Sequence, residues 1–219
     1  MVRGLFVTGT DTSVGKTVVS ATLMQRYGRE LQLRYWKPIQ TGIEQDDDTA
    51  EVARLGECQR DGVIDAGIRL QRPLSPHLAA RLSGATIDLQ PLIDIAKEAR
   101  HTVIVEGAGG ALVPVNPREF MTDLMSRLGL PVLIVSRSTL GTINHTLLTI
   151  EALRRRSLTI AGVVMVGPPD PDNREAIEQR GGVHVVGELP IFQPLTPQRL
   201  AAWAITELDR DGHLMEFIG

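Results

Sequence analysis

Short apolar runs alternate with amphipathic stretches along most of the chain. Consecutive apolar residues bounded by glycine or proline are typical of a buried strand, and apolar residues at every third or fourth position are typical of a helix. This pattern predicts strands over 5–7, 34–37, 103–105, 131–135, 160–166 and 183–186. It predicts helices over 15–27, 49–55, 89–100, 122–128, 142–156 and 197–209, and it leaves 57–88 without a regular element.

The order of these elements indicates the fold class. Continuous apolar strands separated by helices favour a mostly parallel sheet with helices on both faces, because each strand is then buried on both sides. We find no linker and no repeat in the 219 residues. We therefore expect an α/β fold in a single domain, residues 1–219.

Composition narrows the range of partners. The formal net charge of −3 offers no basic surplus for neutralising nucleic-acid phosphates. No apolar run reaches the roughly 18 residues that a membrane helix needs, and the N-terminal residues show no signal-peptide pattern. The single cysteine, Cys58, excludes an internal disulfide and fits a reducing compartment. We expect a cytoplasmic protein that binds neither nucleic acid nor membrane.

The strongest chemical signal is the segment 9–17, Gly-Thr-Asp-Thr-Ser-Val-Gly-Lys-Thr, between a predicted strand and a predicted helix. Its small residues allow consecutive N–H groups to surround a phosphate at the positive end of the helix. Lys16 would reach the β and γ phosphates, and the Thr17 hydroxyl would bind Mg²⁺. A glycine turn that only caps a helix leaves the Gly-Lys-Thr frame unexplained. The segment therefore predicts a P-loop NTPase-like fold that binds ATP with Mg²⁺.

The spacing within this loop separates branches of P-loop proteins. Five residues lie between Gly9 and Gly15, where the usual motif has four. Partition-type ATPases have a signature lysine in this stretch, which here holds Asp11, Thr12 and Ser13. The residues thus favour a small-molecule enzyme over a partition-type ATPase.

A second signal is Val-Glu-Gly-Ala-Gly-Gly at 105–110, where a predicted strand ends. A carboxylate at the C-terminal end of a parallel strand points into the crevice where such sheets bind ligands. Glu106 is therefore a candidate ligand of Mg²⁺, directly or through water. The alternative is a glycine turn after a buried strand that carries an incidental acid.

Two further segments carry candidate charges. Asp46, Asp47 and Asp48 precede a predicted helix, where acids cap the N-terminus and where one of them could instead bind metal. Lys37 ends the second predicted strand and should project over the same sheet edge as the phosphate loop. Its ammonium would neutralise charge on a transferred phosphoryl group, unless it is a surface lysine in a turn.

Seven motifs occur in an order that resembles the dethiobiotin synthetase family of biotin biosynthesis. They are Gly-Thr-Asp-Thr-x-Val-Gly-Lys-Thr, Lys-Pro with Thr-Gly, the Asp-rich stretch, Ser-Pro-His at 75–77, Val-Glu-Gly-Ala-Gly-Gly, Leu-Gly-Thr-Ile-Asn-His at 140–145 and Gly-Glu-Leu-Pro at 187–190. The match covers residues 1 to about 192. The combination is far more specific than any one motif.

The resemblance implies an ATP- and Mg²⁺-dependent reaction of 7,8-diaminononanoate with CO₂. One amine takes up CO₂ as a carbamate, ATP phosphorylates the carbamate, and the second amine closes a cyclic urea and expels phosphate. Lys37 and Lys16 would be the catalytic cations, and Thr17, Asp48 and Glu106 would surround the metal. Family members are homodimers with the substrate at the subunit interface.

The resemblance also implies two sets of binding residues. The nucleotide-binding set is Ser13, Val14, Gly15, Lys16, Thr17, Val18, Asp48, Glu106, Gly107, Ala108, Gly109, Gly167, Pro190, Ile191 and Phe192. For the substrate, Thr41 takes a position that is usually serine. Gly141, Thr142 and Asn144, at a helix start, would receive the substrate carboxylate from the neighbouring subunit.

Two departures from the family pattern bear on the nucleotide. Ser13 stands where many members have an acid. An asparagine that usually follows the strand ending near Val166 and contacts adenine is missing, and Gly167, Pro168 and Pro169 stand there instead. Because a lost side-chain amide removes hydrogen bonds worth about 1 kcal/mol each, we expect looser base selectivity.

Three rival interpretations remain open at this point. A regulatory or partitioning ATPase is disfavoured by the missing signature lysine and by Lys37 with the proline after it. A synthetase-like domain of a glutamine amidotransferase or phosphotransacetylase usually comes with a further domain, and a non-catalytic module would bind nucleotide without turnover. The five histidines show no metal-ligand spacing, so we expect no zinc site, and we assign Cys58 no role.

Overall fold

The computed structural model of the chain describes residues 2–99 and 101–218. Its strands are β1 (Arg3–Gly9), β2 (Arg34–Trp36), β3 (Ile39–Thr41), β4 (Val63–Ile64), β5 (Ile68–Leu70), β6 (Thr102–Gly110), β7 (Val132–Arg137), β8 (Ile160–Val166) and β9 (Val185–Leu189). Its helices are α1 (Lys16–Tyr27), α2 (Asp48–Leu55), α3 (Pro76–Leu82), α4 (Leu89–Glu98), α5 (Met121–Leu128), α6 (Thr142–Arg154), α7 (Pro171–Gly181), α8 (Pro197–Thr206) and α9 (Met215–Ile218). None of the helices in the described ranges combines the length and the apolar character that crossing a membrane requires.

Seven of the strands form one sheet in the order β4-β2-β6-β1-β7-β8-β9. Neighbouring strands in this sheet pair in parallel throughout. β1 lies at the centre, between β6 and β7, so the loop that follows it opens at the middle of one sheet edge. β3 and β5 form a separate two-stranded parallel sheet.

Alternating side chains on the strands build an apolar core on each face of the large sheet. On β1, Leu5 and Val7 face one side and Phe6 faces the other, as the two-residue period of a strand requires. The Leu5 side packs against α1, α2, α8 and α9, and the Phe6 side packs against α3 to α7. Helices therefore cover both faces, and the predicted α/β fold class is confirmed.

The predicted elements agree with the observed ones except at their ends. The strand predicted over 160–166 coincides with β8, whereas β6 extends beyond 103–105 through the glycine run. α6 and α8 end before the predicted positions 156 and 209, and β9 begins and ends later than 183–186. Position 100, the predicted end of α4, lies outside the described residues.

The hydrophobic pattern does not predict the helices α3, α7 and α9 or the short strands β3, β4 and β5. The region 57–88, which the pattern leaves irregular, contains β4, β5 and α3. β4 and β5 have two and three residues, which are too few to show a period. α7 buries only Ile177 and Gly181, so its sequence lacks the apolar stripe that marks an amphipathic helix.

Three neighbouring strands end together at the edge where the charged motifs lie. β2, β6 and β1 lie side by side and run in the same direction, so the residues that follow them meet at one sheet edge. Lys37 follows β2, the glycine run ends β6, and the phosphate loop follows β1. The topology therefore brings together motifs that are far apart in the chain.

Candidate functional site

The phosphate loop connects the centre of the sheet to α1. β1 ends at Gly9 and α1 begins at Lys16, with Gly15 as the N-cap residue. Gly15 has φ 101°, in the left-handed region where a side chain is strained, and a Cβ there would lie 3.1 Å from Val166 Cγ2. Because a glycine N-cap supplies no side-chain acceptor, the first N–H groups of α1 remain available to a phosphate.

The Lys16 side chain lies back over this loop. Its ammonium donates to the carbonyl oxygen of Asp11 at 3.0 Å, and the residue is 7% exposed. Burial, together with the neighbouring charge of Lys37, lowers the pKa of Lys16 from 10.5 to about 8. A lysine short of counter-charge in this way favours an anionic ligand, which would stabilise its protonated form.

The carboxylate of Glu106 is fully buried, with four donors around it. Lys37 Nζ lies 2.7 Å and Thr17 Oγ1 3.0 Å from its Oε1. Ser20 Oγ and Tyr35 Oη each lie 2.9 Å from its Oε2. Burial, followed by the charge of Glu106, raises the pKa of Tyr35 well above its ordinary value, so the phenol remains a neutral donor. Glu106, the predicted metal ligand, is thus held at both oxygens, and its Oε1 faces the ammonium of Lys37.

Lys37 lies between the two predicted metal carboxylates. Its ammonium is 2.7 Å from Asp48 Oδ2 and 2.7 Å from Glu106 Oε1, and it donates to the Gly107 carbonyl at 3.3 Å. Burial by itself would lower the pKa of Lys37, but the charges of Glu106 and Asp48 raise it above its ordinary value. The structure therefore places a lasting positive charge at the same sheet edge as the phosphate loop.

The three consecutive aspartates take different positions. Asp47 is the N-cap residue of α2 and accepts from the Ala50 N–H at 3.1 Å. Asp48 faces Lys37, and its Oδ1 accepts from Thr17 at 2.9 Å. Burial by itself would raise the pKa of Asp48, but the charge of Lys37 and these hydrogen bonds hold it below its ordinary value. Helix capping therefore accounts for Asp47, and Asp48 joins the charged cluster.

A cleft of about 760 Å³ opens beside this cluster. The predicted site residues that line it are Ser13, Gly15, Lys16, Thr17, Val18, Lys37, Thr41, Asp48, Glu106, Ala108 and Gly109. Residues 73–76 form its opposite wall. The phosphate loop, the candidate metal ligands, both lysines and Thr41 thus share one cavity.

Two residues of the predicted nucleotide set lie behind the cleft wall. The Val14 side chain is buried in the core on the α1 face of the sheet, so only its main chain is left to meet a nucleotide. Gly107 is buried, and its carbonyl accepts from Lys37. A Cβ at Gly107 would lie 2.9 Å from the Phe6 ring, which explains why glycine is needed there.

The last four residues of the predicted nucleotide set, Gly167, Pro190, Ile191 and Phe192, follow β8 and β9. The Gly167 N–H donates to the Leu189 carbonyl at 2.9 Å, which ties the ends of the two strands together. Gly167 has φ 137°, and a Cβ there would overlap Ser138 Oγ. Residues 190–192 begin the segment after β9, with Ile191 exposed. None of these four residues lines the cleft that the described residues form around the lysines, and Pro190 and Phe192 line a separate cavity beside β9 and α8.

The predicted carboxylate-binding residues lie at the N-terminus of α6. Gly141 is the N-cap residue with φ 95°, Thr142 is buried, and Asn144 is exposed. The Thr142 hydroxyl donates to the Arg137 carbonyl, and the Arg137 guanidinium donates to the Thr12 carbonyl at 3.1 Å. The cleft that the described residues form around the lysines does not include the three predicted residues.

Ser20 and Tyr35 contact Glu106 although the sequence analysis does not single them out. Both carry a signal that is readable in hindsight. Ser20 follows Thr17 by three positions on α1, and Tyr35 precedes Lys37 by two positions along a strand direction. These are the spacings that place two side chains on one side of a helix and on one face of a strand.

The cluster can hold an anion and a divalent cation side by side. Oxygen atoms of Thr17, Asp48 and Glu106 meet at one point, where the Thr17 hydroxyl lies within 3.0 Å of both carboxylates and the Lys37 ammonium lies between the two carboxylates. Mg²⁺ prefers such oxygen ligands together with phosphate oxygens. The N–H groups of the phosphate loop and Lys16 lie next to that point, which suits a triphosphate.

The chain is similar in sequence to proteins of one enzyme family. A family model described as an AAA domain matches residues 3–199. The ATP-dependent dethiobiotin synthetase BioD of Paramagnetospirillum magneticum is 49% identical over 199 residues, which cover 91% of this chain and 93% of the relative. The protein of the same name from Sphingopyxis alaskensis is 46% identical over 196 residues, which cover 90% of this chain and 92% of the relative.

One solved structure shows the same fold at low sequence identity. The septum site-determining protein MinD of Pyrococcus horikoshii, complexed with Mg-ADP, has a TM-score of 0.61 and 15% identity, covering 100% of this chain and 95% of that chain. At this identity the likeness establishes the fold alone, and it confirms the P-loop NTPase-like fold predicted from 9–17. The two relatives at 49% and 46% identity over most of both chains establish more: this chain belongs to the ATP-dependent dethiobiotin synthetase family.

Proposed function

We propose that the chain catalyses the ATP- and Mg²⁺-dependent conversion of 7,8-diaminononanoate and CO₂ to dethiobiotin, ADP and phosphate. The observation that carries this proposal is the cluster of buried Lys37 and Glu106 with half-buried Asp48 and Thr17, joined by contacts of 2.7–3.0 Å beside the phosphate loop. The names of the relatives supply the reaction class. The cluster concentrates charge where a phosphoryl group would be transferred, and this reaction transfers one.

The proposed reaction forms three bonds in order. An amine nitrogen of the diamine attacks CO₂ and loses a proton, which gives a carbamate anion. A carbamate oxygen attacks the γ-phosphorus of ATP, and ADP leaves. The second amine then attacks the carbamate carbon, a proton is lost, and the carbon–oxygen bond to phosphate breaks. The product is a cyclic urea, and each ATP gives one ADP and one phosphate.

The middle step depends on cations more than on a base. The carbamate and the triphosphate are both anionic, so their approach is unfavourable until positive charge surrounds them. Lys16 would hold the phosphates from the loop side, and Lys37 would stabilise the charge that passes between oxygens. Thr41 lines the same cleft and would contact the diamine. In this scheme the chain supplies position and charge, and the substrates supply the nucleophiles.

The donor set beside Lys37 fits Mg²⁺. One hydroxyl and two carboxylates, from Thr17, Asp48 and Glu106, are hard oxygen ligands of the kind that this ion prefers, with phosphate oxygens completing the set. When bound, Mg²⁺ would neutralise charge on the phosphate oxygens. The two carboxylates already contact one cation, the ammonium of Lys37, and the Thr17 hydroxyl donates to both of them.

We further propose a homodimer in which the substrate lies between two subunits, each a single catalytic domain over 1–219. Gly141, Thr142 and Asn144 of one subunit would bind the carboxylate of a diamine held at the cleft of the other. Two observations support this arrangement: these residues lie outside the cleft of their own chain, and Leu140 beside them is fully exposed. A partner that covered Leu140 would withdraw its apolar surface from water, which is favourable.

The test is an ADP-release assay with 7,8-diaminononanoate, run with and without bicarbonate. We expect ADP release that requires both the diamine and bicarbonate, together with a product of the mass of dethiobiotin. ATP hydrolysis that is indifferent to the diamine would instead indicate a regulatory ATPase. Nucleotide binding without any turnover would indicate a binding module.

A further inference from the structure

We propose that Tyr35 and Ser20 are positioning residues that fix the Glu106 carboxylate, so that Oε1 is the oxygen presented to the cations of the site. The inference rests on the proposed function, because it concerns the candidate metal ligand of that reaction. Neither residue lines the cleft that the described residues form, and both are fully buried. They therefore act through Glu106 rather than on a substrate.

The two oxygens of Glu106 have different partners. Oε2 lies 2.9 Å from Ser20 Oγ and 2.9 Å from Tyr35 Oη, both neutral hydroxyls. Oε1 lies 2.7 Å from Lys37 Nζ and 3.0 Å from Thr17 Oγ1, the groups at the cleft. The terminal torsion of a glutamate is soft, so the carboxylate plane would otherwise rotate easily. Two donors on Oε2 fix that plane.

The positions of both hydroxyls follow from regular structure. Tyr35 of β2 is paired with Ile104 of β6, and Glu106 lies two residues beyond Ile104 on the same face of the sheet. Ser20 lies one helical turn after Thr17, on the side of α1 that faces β6. The supports thus come from a strand and a helix rather than from loops, which makes their geometry rigid.

Burial leaves few alternatives for Glu106. A fully buried carboxylate needs its acceptor sites filled, because an unsatisfied buried polar group is unfavourable. Lys37 and Thr17 are shared with Asp48, so they are not dedicated to Glu106. By contrast, the hydroxyls of Ser20 and Tyr35 each make one hydrogen bond among those described, and each donates it to Glu106.

The experiment compares ATP binding by the full chain at a series of Mg²⁺ concentrations and in EDTA. We expect Tyr35→Phe, and likewise Ser20→Ala, to raise the Mg²⁺ concentration for half-maximal binding by about tenfold, since each removes a hydrogen bond to a charged group. Affinity for ATP in EDTA should stay within about twofold of the unchanged chain, because the phosphate loop is untouched. The double variant should require more Mg²⁺ than either single variant.

Tyr27→Phe is the matched control. The Tyr27 hydroxyl also donates to a buried carboxylate, Asp209 Oδ2 at 2.6 Å, at the opposite end of α1. We expect this variant to lower the melting temperature about as much as Tyr35→Phe while leaving the Mg²⁺ dependence unchanged. If Tyr35→Phe behaves in the same way as Tyr27→Phe, its hydroxyl is only structural and the inference is wrong.

The binding assay also separates this inference from the proposed reaction. If the unchanged chain shows no diamine-dependent turnover, the proposed reaction fails, and the Mg²⁺ titration of ATP binding still decides the role of Tyr35 and Ser20. If turnover is present but the variants bind Mg²⁺ and ATP normally, the reaction stands and the positioning role is overturned.

Discussion

Near each end of α1 a buried tyrosine donates to a buried carboxylate, yet the two pairs differ in what else surrounds the acid. Near the N-terminal end, Tyr35 of β2 donates to Glu106 at 2.9 Å. At the C-terminal end, Tyr27 donates to Asp209 at 2.6 Å. The Leu214 N–H also donates to Asp209, with its nitrogen 3.1 and 3.0 Å from the two carboxylate oxygens. That pair holds the last segment of the chain against the helix.

The difference shows which buried acids are candidates for chemistry. The described partners of Asp209 are neutral, and Asp209 does not line the phosphate cleft. Glu106 turns one oxygen to the hydroxyl support and the other to an ammonium at the cleft. Burial and hydrogen bonding alone therefore do not distinguish the two acids. A neighbouring cation and access to the phosphate cleft do, since Asp209 lines a different cavity.

The largest expected effect comes from removing the cation beside Glu106. Lys37→Ala should lower diamine-dependent turnover by about 10²–10³-fold, because it removes electrostatic stabilisation of the transferred charge. It should also lower the free energy of unfolding by about 3–5 kcal/mol, since breaking a buried ion pair leaves an acid uncompensated. ADP release and urea unfolding measure the two effects. Lys97→Ala, at an exposed position of α4, is the control, and equal losses in both variants would contradict the prediction.

Cys58 extends the comparison to a half-buried acid that lacks any ammonium partner among the residues described. Burial raises the pKa of its thiol from 9.0 to about 11. The folded chain should therefore hold about a hundredfold less thiolate than an ordinary cysteine near neutral pH, and iodoacetamide should label it correspondingly slowly. The urea-unfolded chain is the reference. Equal labelling rates before and after unfolding would show that the thiol is not suppressed.

Asp209→Asn tests the structural end of the comparison. The substitution weakens the bonds from Tyr27 and Leu214, and we expect the free energy of unfolding to fall by about 1–3 kcal/mol. The kinetic constants of diamine-dependent ADP release should not change, because the pair lies away from the cleft. Urea unfolding and steady-state kinetics on the same preparation measure both. A raised KM or lowered kcat would show that the two ends of α1 are coupled.

The smallest expected effect concerns the nucleotide base, at the side of the site where hydrogen-bonding side chains are sparse. Gly167, Pro168 and Pro169 stand where the family pattern has an adenine-contacting asparagine, and Asn173 uses its amide on the Ser138 carbonyl at 3.0 Å. We expect CTP and GTP to support turnover within about tenfold of ATP, since few base-edge hydrogen bonds are left to discriminate. Relative kcat/KM values measure this. A preference of about a hundredfold for ATP would contradict it.

Local patterns in the sequence predict the phosphate loop, the alternating elements and the candidate roles of Lys37 and Glu106. The loop motif is contiguous, so its geometry depends on neighbours in the chain. β8 is a continuous apolar run because the strand is buried on both faces. The same reasoning leaves α7 and the short strands unpredicted. Their formation depends on packing against elements elsewhere in the chain, which no local period records.

The sequence by itself determined that a phosphate-binding loop starts a helix and that charged residues follow two other strands. Only the tertiary structure decided that Lys37 lies between Asp48 and Glu106, and that Asp47 is a helix cap while Asp48 is not. It alone showed that the hydroxyls of Tyr35 and Ser20 donate to Glu106, although these residues precede it by 71 and 86 positions in the chain. The physical reason is that spacing along a strand or helix fixes which side a residue takes. The order of the strands in the sheet decides which residues of other elements lie next to it on that side.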